Sequence, residues 1–247
     1  MKLPERLARI AVYVTPGAPV ADIGTDHALL PVYLVKQEIS PRVIAGELHP
    51  GPLQSARSTV AFYGLDNQIQ VREGDGLQVL RPGEADVIVI AGMGGVKIRD
   101  ILEASPAVLE RVKRLILQPI GGAGILRDWL LSHCWSLMDE DLVLEGGRFY
   151  EIIIAEPGPS PEAEEKPLEN CRDFEPGLYL EIGPRLVKKA HPLLVPFLEK
   201  QVQEMDGVIK ALERARTPAA RQMQRDWIKK MEFFKRVIAC QLNAKPS

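Results

Sequence analysis

Four short stretches of the chain set acids and glycines at the ends of apolar runs: Asp22-Ile23-Gly24-Thr25-Asp26-His27-Ala28, Glu47-Leu48, Gly74-Asp75-Gly76 and Gly92-Met93-Gly94-Gly95. Glycine in such a place lets the backbone turn tightly and lets a ligand approach the main chain. An ionised carboxylate only accepts hydrogen bonds, so Glu47 at a strand end suits ribose hydroxyls and Asp75 suits the exocyclic amine of an adenine. The first stretch lacks the G-x-G-x-x-G spacing of a dinucleotide fingerprint, so it is the combination that carries meaning. Asp26 and His27 are the acid–base groups nearest the crevice these loops would form. Asp26 could equally cap the helix that follows, and His27 could be structural. His49, His133 and His191 join no constellation and read as structural or surface residues.

The elements that must position these loops follow from the apolar pattern. Val20–Ile23, Arg42–Glu47, Ile69–Arg72, Asp86–Ala91 and Arg114–Gln118 read as strands, separated by segments long enough for helical crossovers. The fourth and fifth runs are almost wholly apolar, as expected of parallel strands covered on both faces. In such a sheet the four loops converge outside the carboxyl ends of the strands. Further on, Trp135–Met138 and Leu142–Leu144 precede a Gly146-Gly147 turn and the run Phe149–Ala155, a pair that must be antiparallel. Parallel strands ending in a hairpin favour a Rossmann-like methyltransferase sheet over a nicotinamide dehydrogenase, whose sheet normally closes with another parallel crossover.

Residues 1–157 are expected to form this catalytic domain. The Pro- and Glu-rich stretch 158–184 reads as a linker. From 185 to 247, Leu194, Leu198, Val202, Met205, Ile209 and Leu212 recur at helical spacing, as do Trp227, Met231, Phe234 and Ile238. Thr217-Pro218 between them suits an N-cap followed by proline in the first helical position, which predicts an antiparallel, coiled-coil-like hairpin.

The chain carries 31 Lys+Arg against 33 Asp+Glu, yet the charges are uneven: residues 185–247 hold 14 basic and 6 acidic groups. A basic hairpin beside an acidic domain suits a polyanion, and Lys188, Lys189, Arg221, Arg225, Lys229, Lys230, Lys235 and Arg236 are the candidate phosphate contacts. The same charges could simply solvate the outer face of the hairpin. Three distant cysteines form neither a disulfide framework nor a metal spacing, and no apolar run is long enough for a bilayer, so a cytoplasmic protein without a metal is expected. P-loop, H-E-x-x-H and G-x-S-x-G signatures are absent.

The run Asp22–Ala28, with Gly51-Pro52, Gly74-Asp75-Gly76-Leu77, Gly92-Met93-Gly94-Gly95, Leu115-Ile116-Leu117-Gln118-Pro119 and Tyr150-Glu151-Ile152, resembles the bacterial tRNA (adenine-22-N1)-methyltransferases over nearly the whole chain. That resemblance implies a Rossmann-like domain followed by a helical domain, and transfer of a methyl group from S-adenosylmethionine to N1 of an adenine in the tRNA D-arm. It implies cofactor contacts from Asp22, Gly24, Thr25, Glu47, Leu48, Asp75, Gly76, Gly92 and Met93. Asp26, His27 and Met93 are the catalytic candidates, in a protein expected to act as a monomer. The family prefers Asp at the position of Glu47 and Asn at that of Ile120. Three other readings compete: a small-molecule methyltransferase, which would not need the basic hairpin, a nicotinamide-dependent oxidoreductase, which would share the ribose-binding acid, and an idle RNA-binding module, which would transfer no methyl group.

Overall fold

A computed structural model describes residues 1–159, 177–214 and 217–243, and the chain divides into two compact units, Met1–Ser160 and Pro161–Ser247. The first unit is built on a seven-stranded sheet: β1 (Val20–Ile23), β2 (Val43–Glu47), β3 (Ile69–Glu73), β4 (Val87–Met93), β5 (Arg114–Pro119), β6 (Trp135–Glu145) and β7 (Arg148–Pro157), in the order β3-β2-β1-β4-β5-β7-β6. The first five run parallel, while β7 pairs antiparallel with both β5 and β6. Chain direction reverses its march across the sheet between β1 and β4, which makes the crevice there the expected ligand site.

The helices are α1 (Glu5–Val12), α2 (Leu29–Lys36), α3 (Pro50–Phe62), α4 (Gly95–Glu103), α5 (Pro106–Leu109) and α6 (Ala123–Ser132). Strand alternation explains why the central strands read as continuous apolar runs. Ile88, Ile90, Leu115 and Leu117 pack with residues of α4 and α6 on one face. Val87, Val89 and Ile116 pack with α1, α2 and α3 on the other. The hairpin turn is Gly146-Gly147, with φ of +55° and +75°, the left-handed pair that a two-residue turn requires.

The sequence pattern divides Trp135–Met138 from Leu142–Leu144, whereas β6 is one strand carrying a bulge between Leu137 and Asp139. The charged residues that suggest a break are internally paired. Glu140 and Arg127 are both fully buried and joined at 2.5 Å, and Glu151 on β7 lies 2.6 Å from the same guanidinium. Asp141 accepts from the Tyr13 hydroxyl at 2.8 Å. Burial and its acidic neighbours push the Tyr13 hydroxyl well above the ordinary tyrosine range.

The second unit holds α7 (Gly177–Ile182), α8 (Pro184–Lys188), α9 (Leu194–Glu213) and α10 (Pro218–Asn243), the last two packed along one another. Leu194, Leu198, Met205 and Ile209 are buried together with Phe233, Phe234 and Val237. The Thr217 hydroxyl accepts from the Ala220 N–H at 3.2 Å, capping α10 with Pro218 in its first position. Most of the expected linker, 160–176, lies outside the described residues. Its last part is helical instead: α7 sets Tyr179 edge-on to Phe233 at 5.0 Å.

Candidate active site

At the end of β1 the chain doubles back through three left-handed residues, Gly24 (φ +74°), Asp26 (+52°) and Ala28 (+53°). The Gly24 and Thr25 N–H groups both donate to the Gly46 carbonyl, at 2.9 and 3.1 Å, which ties this loop to β2. Glu47, at the end of β2 and almost fully buried, tightens the tie. Its Oε1 accepts from the Leu48 and His49 N–H groups, both at 2.9 Å, and its Oε2 accepts from the Asp26 N–H at 3.2 Å. Three backbone donors fix the carboxylate's orientation, and two oxygens with about four acceptor positions can still take a further donor.

Gly24, Glu47, Leu48 and Asp26 line one cavity of about 450 Å³ with Asp75, Gly76, Gly92 and Met93. Four separate loops therefore meet at the carboxyl ends of β1, β2, β3 and β4. Sequence reasoning missed His49, Pro52, Lys97 and Ile101, which share the lining. Lys97 sits 3.8 Å from Asp75 with both side chains about half exposed, so the pair is weak. Its only sequence signal was its place one turn into α4.

Asp22 and Thr25 do not line the cavity. Their side chains are buried behind it, where the Thr25 hydroxyl donates to Asp22 Oδ2 at 2.7 Å. Burial raises the Asp22 carboxyl to about 6, against the lowering effects of the Thr25 bond and the Arg6 charge. Bonded to each other, the two side chains brace the start of the loop from the interior. His27 is likewise outside the lining; its ring nitrogen lies 3.6 Å from Asp26, with both side chains more than half exposed. Asp26 does not cap α2, whose N-terminus has no side-chain cap.

The glycines after β4 have distinct jobs. The Ile120 N–H donates to the Met93 carbonyl at 2.7 Å, and the Gly95 N–H donates to the Gly121 carbonyl at 2.9 Å, clamping this loop to the one after β5. A β-carbon on Gly95 would overlap the Gly122 carbonyl oxygen, so only glycine fits. Ile120 is mostly exposed beside the clamp.

In the second unit, Lys188, Lys189, Arg221, Arg225, Lys229, Lys235 and Arg236 are exposed. Lys230 is not free: its ammonium lies 3.0 Å from Glu181 of α7 and 5.3 Å from the Trp227 ring centroid, so it braces α7 against α10. Among the described residues no group of three or more His, Cys, Asp or Glu could hold a metal, and no helix is long and apolar enough to cross a membrane.

The strand order, the terminal antiparallel hairpin and a cavity over β1 and β4 define a Rossmann-like methyltransferase fold. Consistent with this, the methyltransferase domain family matches residues 3–153. The chain belongs to the tRNA (adenine(22)-N(1))-methyltransferase family: it is 38% identical to the tRNA (adenine(22)-N(1))-methyltransferase of Bacillus subtilis (strain 168) over 96% of this chain and 98% of that one. The crystal structure of the B. subtilis M1A22 tRNA methyltransferase aligns with a TM-score of 0.85 at 37% identity, covering 96% of this chain and 99% of the other. A putative tRNA (m1A22) methyltransferase of Streptococcus pneumoniae, solved in complex with S-adenosyl-L-methionine, aligns with a TM-score of 0.82 at 34% identity, covering 96% and 100%.

Proposed function

We propose that this protein transfers the methyl group of S-adenosylmethionine to N1 of adenine 22 in the D-arm of tRNA. The observation that carries the reading is the single cavity in which Glu47, Asp75 and the Gly24 and Gly92 loops face one another. Its volume falls within the ~300–1,000 Å³ typical of small-molecule and cofactor sites. A β-carbon at Gly24 would fill space already taken by the Met93 methyl, so the cradle is shaped by glycine where a cofactor chain must pass. Similarity to a relative solved with S-adenosylmethionine supports the same occupant.

When bound, the cofactor supplies a sulfonium methyl that is electrophilic without help from a metal. Glu47 holds the ribose end through its remaining acceptor capacity, and Asp75 accepts from the adenine amine. Adenine N1 is a weak neutral nucleophile on the Watson–Crick edge, so the target base must leave its stacked position at a cost of a few kcal/mol. Gly92, Met93 and Gly94 form the side of the cavity against which that base is held, and in-line positioning can contribute about 7–11 kcal/mol. Methylation at N1 places positive charge on the base, and the exposed Asp26 carboxylate on the cavity rim is placed to stabilise it or to accept the N6 proton.

The protein acts as a monomer in the cytoplasm, where its tRNA is. The exposed cations of α8 and α10 supply phosphate contacts. The test is incubation with labelled S-adenosylmethionine and an unmodified tRNA transcript, beside a transcript with adenine 22 replaced. Incorporation into the first alone is expected; equal incorporation into both would overturn the site assignment.

A further inference from the structure

The first turn of α1 closes the same edge of the sheet that carries the cavity. Its exposed N-terminal N–H groups are capped from far away: Glu145 at the end of β6 accepts from the Glu5 N–H at 2.5 Å and from the Arg6 N–H at 3.4 Å. This fixes Arg6 over the ends of β5 and β7. Its guanidinium is 3.4 Å from the Gln118 amide oxygen, 3.7 Å from a Glu145 carboxylate oxygen and 5.7 Å from the centre of the Tyr150 ring.

All three approaches are long. The guanidinium has five N–H donors, and only the one to Gln118 lies within hydrogen-bond range among the described residues. The side chain is nonetheless about seven-tenths shielded from solvent. The Tyr150 hydroxyl, on the next strand, also makes no hydrogen bond among the described residues, although its ring is half-buried. Neither group is sealed from water: neither is among the fully buried polar atoms that lack a partner, so the spare donors of Arg6 and Tyr150 face solvent and are free to exchange water for an incoming oxygen.

Their position says which ligand. Gln118 pairs in register with Ala91, a cavity-lining residue, and Pro119 with Met93. Arg6 also acts electrostatically on Asp22, next to the lining residues Ile23 and Gly24. The donors therefore stand one strand away from the cavity, on the side of Met93 and Ile120 rather than of Glu47 and Asp75. A cationic fork beside a hydroxyl at that spot matches an anionic phosphodiester oxygen.

We propose that Arg6, assisted by the Tyr150 hydroxyl, grips a backbone phosphate flanking the adenosine that is turned into the active site. This inference rests on the tRNA-methylation reading above. Arg6 is a positioning residue: it anchors the strand so that the base, once displaced, meets the methyl group in line. Gln118 and Glu145 hold the guanidinium in place until the phosphate arrives, and the long Glu145 interaction is the one it displaces.

Methyl transfer to an unmodified tRNA transcript is measured for the wild type, Arg6→Ala, Arg6→Lys and Tyr150→Phe, with cofactor affinity and melting temperature as controls. The same assays use tRNA carrying a neutral methylphosphonate in place of each phosphate flanking the target adenosine. Removing a charge-assisted hydrogen bond should lower kcat/KM for tRNA about tenfold to a hundredfold in Arg6→Ala, with partial rescue in Arg6→Lys and unchanged cofactor affinity. One of the neutral linkages should cost the wild type a similar factor and cost Arg6→Ala little more. If both linkages weaken wild type and Arg6→Ala equally, or Arg6→Ala keeps full kcat/KM, the phosphate grip is overturned while the methyltransferase reading stands. A wild type that methylates no tRNA overturns both.

Discussion

The Met93 methyl group lies against Gly24 so closely that a β-carbon at position 24 would overlap it. The two residues come from different loops, after β4 and after β1, and both line the cavity. Gly24 also has φ of +74°, which costs a side-chain-bearing residue about 1–2 kcal/mol. Gly24→Ala should thus strain the β1 loop and drive the flexible Met93 side chain into the cofactor space. Calorimetric titration should show S-adenosylmethionine affinity reduced about tenfold, with melting temperature only slightly lower. Unchanged affinity would mean that Met93 can retreat without crossing the cofactor path.

Glu47→Gln removes a charge that three backbone N–H groups converge upon, and the two Glu47 oxygens become one acceptor and one donor. Cofactor binding should weaken by about 1–3 kcal/mol. Asp75→Asn leaves backbone bonding intact and should weaken binding less. Titration of the purified variants ranks the two; a greater effect at Asp75 would reverse the proposed division of labour.

The Asp22 carboxyl, ordinarily near 3.8, stands at about 6 because burial disfavours its charge. Since its folded value is raised above the unfolded one, the folded state binds more protons between pH 4 and 6. This contribution to stability is therefore greatest at the acidic end and is lost as pH rises through about 6. Asp22→Asn should flatten that slope and stabilise the protein at pH 7.5 relative to pH 4, by up to roughly 3 kcal/mol. Urea unfolding at both pH values measures it; parallel shifts at the two would exclude the linkage.

Arg127 neutralises Glu140 at full burial and Glu151 beside it. Arg127→Met leaves two carboxylates uncompensated between α6 and the hairpin, and should cost about 3–5 kcal/mol. The triple change to apolar residues of similar size should recover most of that stability. Thermal melting of the single and triple variants distinguishes a needed charge balance from simple packing.

Neutralising Arg221 and Lys235, exposed on α10, should raise KM for tRNA and lower the salt slope of binding by about 0.7–0.9 for each phosphate no longer neutralised. Lys230→Gln should instead lower the stability of the second unit, since it breaks the ion pair with Glu181. Identical salt slopes before and after the Arg221 and Lys235 changes would assign those side chains to solvation.

Legibility in the sequence tracked the range of the interactions. The apolar runs of β4 and β5, the Gly146-Gly147 turn and the Thr217-Pro218 cap are local signals, and each produced the element expected of it. The loop glycines and acids of the cavity were readable because a ligand-facing turn needs those residue types where the strand ends. Asp22 and Thr25 were expected beside the cofactor; their side chains are buried outside the cavity lining, because adjacency to Gly24 does not say which way a side chain points. Arg6 was opaque for the opposite reason: its partners are Gln118, Glu145 and Tyr150, and nothing near residue 6 announces them. Continuous β6 was hidden because Glu140 and Asp141 look like turn residues until Arg127 and Tyr13 are beside them.

The carboxylate that caps α1 belongs to the residue just before the last tight turn of the sheet. The first helix therefore has no acceptor for its leading N–H until a residue 140 positions further on has been made. The start of the chain is thus secured only when the sheet closes, with the second unit still to be made.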